Sequence, residues 1–355
     1  MLLIYGANGY TGKLIVERAV ARGLKPILSG RNAEAVGQLA RANGLEARAA
    51  ALDHQRSLDD ALDGVTTVLH CAGPFARTAN VMATACIRAK AHYLDITGEI
   101  SVFEMLAQRS AEAERAGVML LPGAGFDVVP SDCLAAHLKR RLPAATALAL
   151  AFHGGTGLSR GTATTMIENV GRGGAVRRDG RITIVPAAWR ERDIDFGDKV
   201  RHAVTIPWGD VSTAFHSTGI PNIEVYVAAT PGTVRMMRLV QRFGWVLATA
   251  PAQRFLKWRV RRGAPGPSVK QRTGARARLW GEATDEAGNT VCARLTTPDG
   301  YTLTALTAVA AAEKCLAGLA SPGFQTPSRA FGAEFILEIE GTSREDLPSA
   351  RGSWA

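Results

Sequence analysis

The sequence predicts an α/β chain in two parts, a Rossmann-type doubly wound parallel sheet and a second α+β domain. Three observations carry this. Leu2-Leu3-Ile4-Tyr5 is an apolar strand that runs directly into Gly6-Ala7-Asn8-Gly9-Tyr10-Thr11-Gly12, and a helical pattern follows at once. The strand–helix alternation then recurs to about residue 121, as a parallel sheet with helices on its faces requires. Past about residue 131 the rhythm loosens into strands, glycine turns and longer helical stretches. The chain has 355 residues, 46% of them hydrophobic, which is more than one core usually serves. The expected divisions are 1–130 for the Rossmann domain, 131–330 for the α+β domain and 331–355 for a C-terminal helix and tail.

Taken in order, residues 2–5 form the first strand, and 11–21 a helix with Leu14, Ile15 and Ala19 available to face the sheet. A second strand at 26–29 precedes a helix over 33–42. Strands follow at 45–52, 65–70, 92–95 and 118–121, with helices at 57–62, 77–89 and 101–116 between them. Ser101 and Glu104 have the spacing of a capping box for the last of these helices. Ser131, after Pro130, suits the N-cap of a helix to about residue 142, a role that competes with a catalytic one. In the second domain, 147–152, 181–185, 203–206 and 223–228 read as strands, 276–282 and 290–295 as a hairpin, and 162–170 and 302–316 as helices.

Strand, glycine turn and helix occur in the order dinucleotide binding needs. Gly6 permits the tight turn, Gly9 lets backbone approach a pyrophosphate, and Gly12 lets helix and strand pack closely. Amides at the helix start, in the Asn8, Tyr10 and Thr11 region, then meet the phosphates. The spacing is GxxGxxG, so an ordinary glycine turn is the alternative. The end of the second strand selects the cofactor. An NAD site wants a carboxylate about 20 residues past the glycines, whereas this chain offers Ser29-Gly30-Arg31-Asn32. Arg31 can form a bidentate pair with a 2′-phosphate, with Ser29 or Asn32 as secondary donors. At roughly 1.5–3 kcal/mol for a charge-assisted bond, this is a preference of about 10- to 150-fold for NADP(H). A solvated surface arginine is the alternative. Asp53, after the third strand, and Cys71-Ala72-Gly73-Pro74-Phe75, after the fourth, complete the expected cofactor set, with Phe75 as an apolar wall.

Hydride transfer also needs a proton supplied to the other end of the reduced bond. Tyr93, Asp95, Asp127 and His153 are the candidate proton donors or polarisers. Asp127 could instead tie its loop together by accepting backbone amides, the favoured of its two roles. His70 ends a strand and reads as core. Arg160, in the glycine-rich 153–161 turn, is the candidate binder of a substrate carboxylate or phosphate, with a structural salt bridge as its alternative.

Several classes are excluded. Cys71, Cys86, Cys133, Cys292 and Cys315 are odd in number and far apart, which speaks against a disulfide framework or a thiolate zinc site; no metal is expected. No signal-peptide pattern opens the chain and no stretch of 18 uncharged apolar residues occurs, so a cytoplasmic location is expected. The net charge of +10 favours anionic partners, but no nucleic-acid-binding pattern accompanies it. Within 231–262 stand Arg235, Arg238, Arg242, Arg254, Lys257, Arg259, Arg261 and Arg262, with no acidic residue. Pro251 should break this helical stretch and leave a basic, tryptophan-bearing second part. Two readings follow: peripheral contact with lipid or a long acyl substrate, or apolar packing on the second domain or in a homodimer.

Five blocks in order carry a family resemblance: residues 6–12, 30–32, 71–75, Tyr93-Leu94-Asp95-Ile96-Thr97-Gly98-Glu99 and Gly125-Phe126-Asp127-Val128-Val129-Pro130-Ser131-Asp132. With Gly300-Tyr301 and Gly323-Phe324-Gln325-Thr326-Pro327 they resemble the saccharopine dehydrogenase-like oxidoreductases. Within that family the branch with bacterial trans-acting enoyl reductases and the animal saccharopine dehydrogenase-like protein is the most similar. The resemblance implies a Rossmann domain, a second α+β domain, NADP(H), and reduction of a double bond on a lipid- or carrier-linked acyl chain. Genuine saccharopine dehydrogenases use a lysine and a histidine near the nicotinamide. Here only Lys90 and His92 stand close, at a helix–strand junction, which argues against lysine metabolism. The competing expectations are a non-catalytic NADPH-binding interaction protein, a reductase of an imine or carbonyl small molecule, and methyl transfer, which would leave Arg31 without a role.

Overall fold

A computed structural model describes residues 1–154, 157, 159–168, 171 and 173–351. The chain opens with β1 (Leu2–Tyr5), α1 (Tyr10–Ala21), β2 (Ile27–Gly30), α2 (Ala33–Asn43), β3 (Ala47–Ala49), α3 (Gln55–Ala61) and β4 (Thr67–His70). It continues with α4 (Phe75–Ala89), β5 (His92–Asp95), α5 (Ile100–Ala107), α6 (Ser110–Ala116) and β6 (Met119–Leu121). β1, β2 and β4 are buried along their whole lengths, as parallel strands covered on both faces must be. β3 is shorter than its apolar run suggests and half exposed, as befits an edge strand. The helix expected over 101–116 is two helices. Its start is Ile100, with Glu99 at the N-cap position, so Ser101 and Glu104 make no capping box. The break falls at Arg109, whose guanidinium turns to Glu112, Asn80 and Thr84.

Next come α7 (Val129–Arg141), β7 (Ala147–His153), α8 (Arg160–Glu168), β8 (Gly174–Arg178), β9 (Arg181–Val185), β10 (Glu191–Asp195), β11 (Val200–Thr205), α9 (Asp210–Thr218) and β12 (Asn222–Ala228). Then follow α10 (Pro231–Arg242), α11 (Gly244–Leu247), α12 (Ala250–Arg262), α13 (Val269–Arg272), β13 (Arg276–Thr284) and β14 (Asn289–Pro298). The last elements are α14 (Gly300–Leu316), β15 (Gly323–Phe324), α15 (Pro327–Phe331), a 3-10 turn at Phe335–Glu338 and β16 (Ser343–Arg351). Gly155, Thr156 and Leu158 of the expected glycine turn, and residues 169 and 170 of the expected 162–170 helix, lie outside the described residues.

Two compact units result: Met1–Val129 with Gly300–Phe331, and Pro130–Asp299 with Gly332–Ala355. The sequence-based division at 130 falls within one residue of the observed boundary, but the assignments of 300–330 to the second domain and of 331–355 to a separate helix and tail need revision. The segment 300–331 belongs with the first unit, because α14 packs along α1 and β15 pairs in parallel with β6. Residues 332–355, expected as a helix and tail, supply β16, an antiparallel neighbour of β14. Its sequence, SREDLPSAR, is mostly polar, as an edge strand tolerates and a buried one does not.

The first unit is a Rossmann fold, an all-parallel sheet in the order β15-β6-β5-β4-β1-β2-β3. The order reverses between β1 and β4, so the loops leaving those two strands flank the crevice where such sheets bind ligands. Leu3, Tyr5, Val68, Met82, Tyr93 and Phe324 belong to its core. The second unit is α+β. Its mixed nine-stranded sheet runs β10-β11-β12-β7-β13-β14-β16, with β8 also on β12 and β9 on β8. Among the described residues only β7 and β12 pair in parallel within it; the other ladders are antiparallel.

Candidate functional site

The turn after β1 is held by backbone. The amides of Gly6 and Ala7 both donate to the Ser29 carbonyl, and Gly9 N–H donates to the Gly6 carbonyl. Gly6 has φ of +80°, and a Cβ there would lie 2.9 Å from the backbone nitrogen of Ala72, so the loops after β1 and β4 touch at this glycine. Gly12 is tighter still: a Cβ would stand 2.3 Å from the Gly6 carbonyl oxygen. Gly9 differs from both. It is exposed, and the only neighbour a Cβ would meet is the Gly6 oxygen at 3.2 Å. Gly9 is also the N-cap of α1, which has no side-chain cap and no acidic residue in its first turn. An open helix start with this polarity fits a phosphate. Tyr10 packs edge-on against Tyr301 at the start of α14, 5.1 Å between centroids, and Thr11 is half-buried beside it in sequence.

At the end of β2 the expected donors separate. The Ser29 hydroxyl is buried and donates to the Arg48 carbonyl at 2.6 Å, so it is not a secondary phosphate donor. The Asn32 side-chain oxygen accepts from Ala35 N and caps α2, leaving its NH2 group as the remaining donor. The Asn8 side-chain oxygen would stand 3.5 Å from a Cβ at Gly30, which brings the glycine loop beside β2. Arg31 is exposed and makes no hydrogen bond or ion pair among the described residues. It and the exposed Asp53 act in opposite directions on the Tyr5 phenol, Arg31 lowering and Asp53 raising a pKa that burial has pushed up. Both charges therefore lie near the Tyr5–Ala50 contact, where the phenol donates to the Ala50 carbonyl.

Among the loops after β4, β5 and β6, Asp95 is the tie. It is fully buried; one carboxylate oxygen accepts from Thr97 N and Gly123 N at 2.9 Å each, and the other accepts the Tyr93 hydroxyl at 2.6 Å. Burial holds its pKa at about 6 in spite of these donors. Tyr93 thereby leaves the list of proton donors. Its ring is in the core, and burial and the Asp95 charge raise its phenol. Glu99 caps α4, accepting from Phe75 N at 2.8 Å and Ala76 N at 3.2 Å. This anchors the Cys71–Phe75 loop, in which Phe75 lies edge-on to His70 at 5.4 Å. His70 is core: the Thr78 hydroxyl donates to the Ala72 carbonyl, so His70 Nε2 donates to Thr78, and burial lowers the pKa to about 3.

Asp127 is the opposite of Asp95. It follows β6 and is partly exposed, and its carboxyl has no hydrogen-bond or ion-pair partner among the described residues. Loss of hydration alone raises its pKa to about 6. The backbone-tying role favoured for it from sequence thus belongs to Asp95. Gly98 makes room for the carboxyl, since a Cβ there would stand 2.9 Å from an Asp127 oxygen. The loop is braced from α14: Thr304 Oγ1 accepts from Phe126 N at 3.0 Å and Thr307 Oγ1 donates to the Ala124 carbonyl at 2.8 Å. Sequence reasoning missed this return of α14, although Gly300-Tyr301 marked it: a Cβ at Gly300 would press on the Phe126 ring at 3.2 Å.

The remaining candidates lie in the second unit. His153 ends β7 and packs on Phe196 at 5.8 Å, without a hydrogen bond among the described residues; burial first, then Arg201, lowers its pKa. Arg160 is engaged structurally, donating through Nε and Nη2 to the Gly263 carbonyl at 3.1 and 2.6 Å, so its guanidinium closes the C-terminus of α12. Ser131 lies inside the first turn of α7 and donates to the buried Asp210, so it is not the N-cap. Lys90 caps α4 in the left-handed conformation, and His92 Nδ1 accepts from Met119 N. Both stand at the N-terminal end of β5, opposite the edge that carries the glycine turn. All five cysteines are free, and no three His, Cys, Asp or Glu side chains cluster as metal ligands among the described residues.

Residues 2–121 match the family model of the saccharopine dehydrogenase NADP binding domain. A probable mitochondrial saccharopine dehydrogenase-like oxidoreductase of Arabidopsis thaliana is 32% identical over 148 residues, 37% of this chain and 33% of that protein. The trans-acting enoyl reductase of Mycobacterium leprae is 31% identical over 149 residues, 40% of this chain and 36% of that protein. The matches thus span about a third of the length of these relatives. Among solved structures, apo saccharopine dehydrogenase (L-Glu forming) of Saccharomyces cerevisiae aligns over 98% of this chain and 99% of its own, with a TM-score of 0.65 and 12% identity. That likeness shows a shared fold.

Proposed function

The chain belongs to the saccharopine dehydrogenase-like oxidoreductases, and from that premise we propose that it is an NADPH-dependent reductase of a double bond, with lipid- or carrier-linked enoyl groups as its substrate class. The observation that carries the reading is Asp127, a partly exposed carboxyl without partners among the described residues at the C-terminal edge of a Rossmann sheet, its pKa raised to about 6. Such a group can deliver a proton near neutral pH, as general acid catalysis requires. Bound nicotinamide supplies the hydride. The chain's own residues hold the pyrophosphate at Gly9 and the α1 amides, take the 2′-phosphate on Arg31, and place Asp127 by bracing its loop on Asp95, Thr304 and Thr307. The enoyl class is supported by the likeness to the trans-acting enoyl reductase and by the position of Lys90 and His92, which leaves imine chemistry without a lysine–histidine pair. Oxidation of NADPH against a panel of enoyl thioesters, ketones and imines tests the proposal. Turnover with enoyl thioesters alone is expected; tight NADPH binding with no turnover on any member would mark a non-catalytic binding protein.

Arg31→Asp is expected to weaken NADPH binding at least tenfold and leave NADH binding almost unchanged, because it removes the free guanidinium and nothing that braces the fold. Titration of NADPH and NADH fluorescence checks this. Equal loss for both cofactors would show that Arg31 serves the loop and not the 2′-phosphate.

A further inference from the structure

We propose that the outward face of α10–α12 is a peripheral attachment site for an anionic lipid surface. One side of each helix packs on the rest of the unit, and on α12 that side is only partly buried. On α10, Val234 and Met237 pack with Ala188 and Val204, and Gln241 accepts from Ala187 N. On α12, Gln253 donates to the Ile167 carbonyl and Lys257 pairs with Glu168 at 2.7 Å. Gly244 of α11 seats against Gly171, so closely that a Cβ would stand 2.5 Å from its Cα. Pro251 stands in the first turn of α12 and separates it from α11, as the sequence suggested.

The other side is also apolar, and it is exposed. Met236 and Leu239 on α10 and Phe243 at its C-cap follow at helical spacing, 58%, 51% and 49% exposed. Trp245 is 75% exposed, and Phe255 and Trp258 stack on each other at the surface of α12. These side chains alternate with cations. Arg238 pairs with Glu191 and Lys257 with Glu168, but Arg235, Arg242, Arg254, Arg259 and Arg261 have no ion-pair partner among the described residues. Arg262 lies over the Trp258 ring at 4.2 Å. No acidic residue occurs between Glu224 and Glu282.

Charge selects the occupant. A second copy docked through the same face would set arginine against arginine with no acidic residue in the segment on either side, a like-charge contact that specific interfaces avoid. Interleaved aromatics and unpaired cations instead match the boundary of an anionic bilayer, where rings enter the headgroup region and guanidiniums meet phosphates. No described helix is long and apolar enough to cross a membrane, and attachment in the interface plane needs none.

Co-sedimentation of the full chain with phosphatidylcholine vesicles, with and without phosphatidylglycerol, tests the proposal. Binding is expected to the anionic vesicles only, reversed by salt and accompanied by a blue shift of tryptophan emission. Arg254→Glu/Arg259→Glu/Arg261→Glu should weaken it at least tenfold. Trp245→Ser/Phe255→Ser should weaken it with the charges intact. Because all five positions are exposed, thermal midpoints close to wild type are expected and confirm folded variants. Absence of sedimentation with anionic vesicles at low salt would overturn the proposal, as would binding that neither variant weakens. Dimerisation of the free protein that Trp245→Ser/Phe255→Ser abolishes, without lipid binding, would assign the face to a second copy.

Discussion

Asp127→Asn is expected to lower turnover by about 10²- to 10⁴-fold, the usual contribution of a positioned general acid, while making the folded chain more stable above pH 6. The two effects have one cause. Burial raises the folded pKa from 3.8 to about 6 with no compensating donor. The sign follows from linkage: a raised carboxyl pKa leaves stability intact below about pH 4 and erodes it as pH rises through about 6. At pH 8 the native chain holds a poorly hydrated carboxylate, which the neutral amide relieves. Partial exposure reduces the full linkage value, so the gain is on the order of 1–2 kcal/mol. Melting the variant and the wild type at pH 4 and pH 8 should show the difference mainly at pH 8. Wild-type turnover should fall as pH rises through about 6. Full turnover in the variant would remove Asp127 from the chemistry, and lost stability at pH 8 would show that the carboxylate holds the loop.

The parallel sheet was legible because its strands are buried on both faces and read as continuous apolar runs. β1 and β5 fall where the sequence places them, at Leu2–Tyr5 and His92–Asp95. The elements that escaped reading are those whose sequences do not resemble their environment. β10 is Glu-Arg-Asp-Ile-Asp, and its charges are matched only across space, Arg192 with Glu282 and Glu191 with Arg238. β16 is polar for the same reason. α14 reads as a helix, but nothing local says that it joins the first unit; the small faces of Gly125 and Gly300, against Thr304 and Phe126, decide that. The site divides similarly. The glycine turn and Arg31 are local signals, whereas the roles of Asp95 and Asp127 depend on which carboxylate meets the amides of Thr97 and Gly123. Two aspartates, one ending β5 and one in the loop after β6, look alike in sequence and take opposite parts in the fold.

The last expectation separates two glycines of one turn. Gly9→Val should abolish measurable NADPH binding, a loss of more than 100-fold, while the chain melts within a few degrees of wild type. Gly12→Ala should lose both binding and stability. At Gly9 the backbone is at φ −70°, where any residue is unstrained, and only the Gly6 oxygen at 3.2 Å constrains a Cβ. The added methyls therefore enter open space, the same space through which a pyrophosphate would approach the α1 amides. At Gly12 the Cβ would stand 2.3 Å from the Gly6 oxygen and 3.0 Å from the Cα of Ala7. Backbone on both sides cannot yield without moving α1 off the sheet, at a cost of roughly 1–3 kcal/mol or more. Fluorescence titration and thermal melts on the two variants give four numbers with a distinct pattern. A folded Gly9→Val chain that binds NADPH normally would place the phosphates away from this turn and remove the basis for the cofactor assignment. Unfolding of both variants would show that the turn's geometry, and not open space at Gly9, is what valine disturbs.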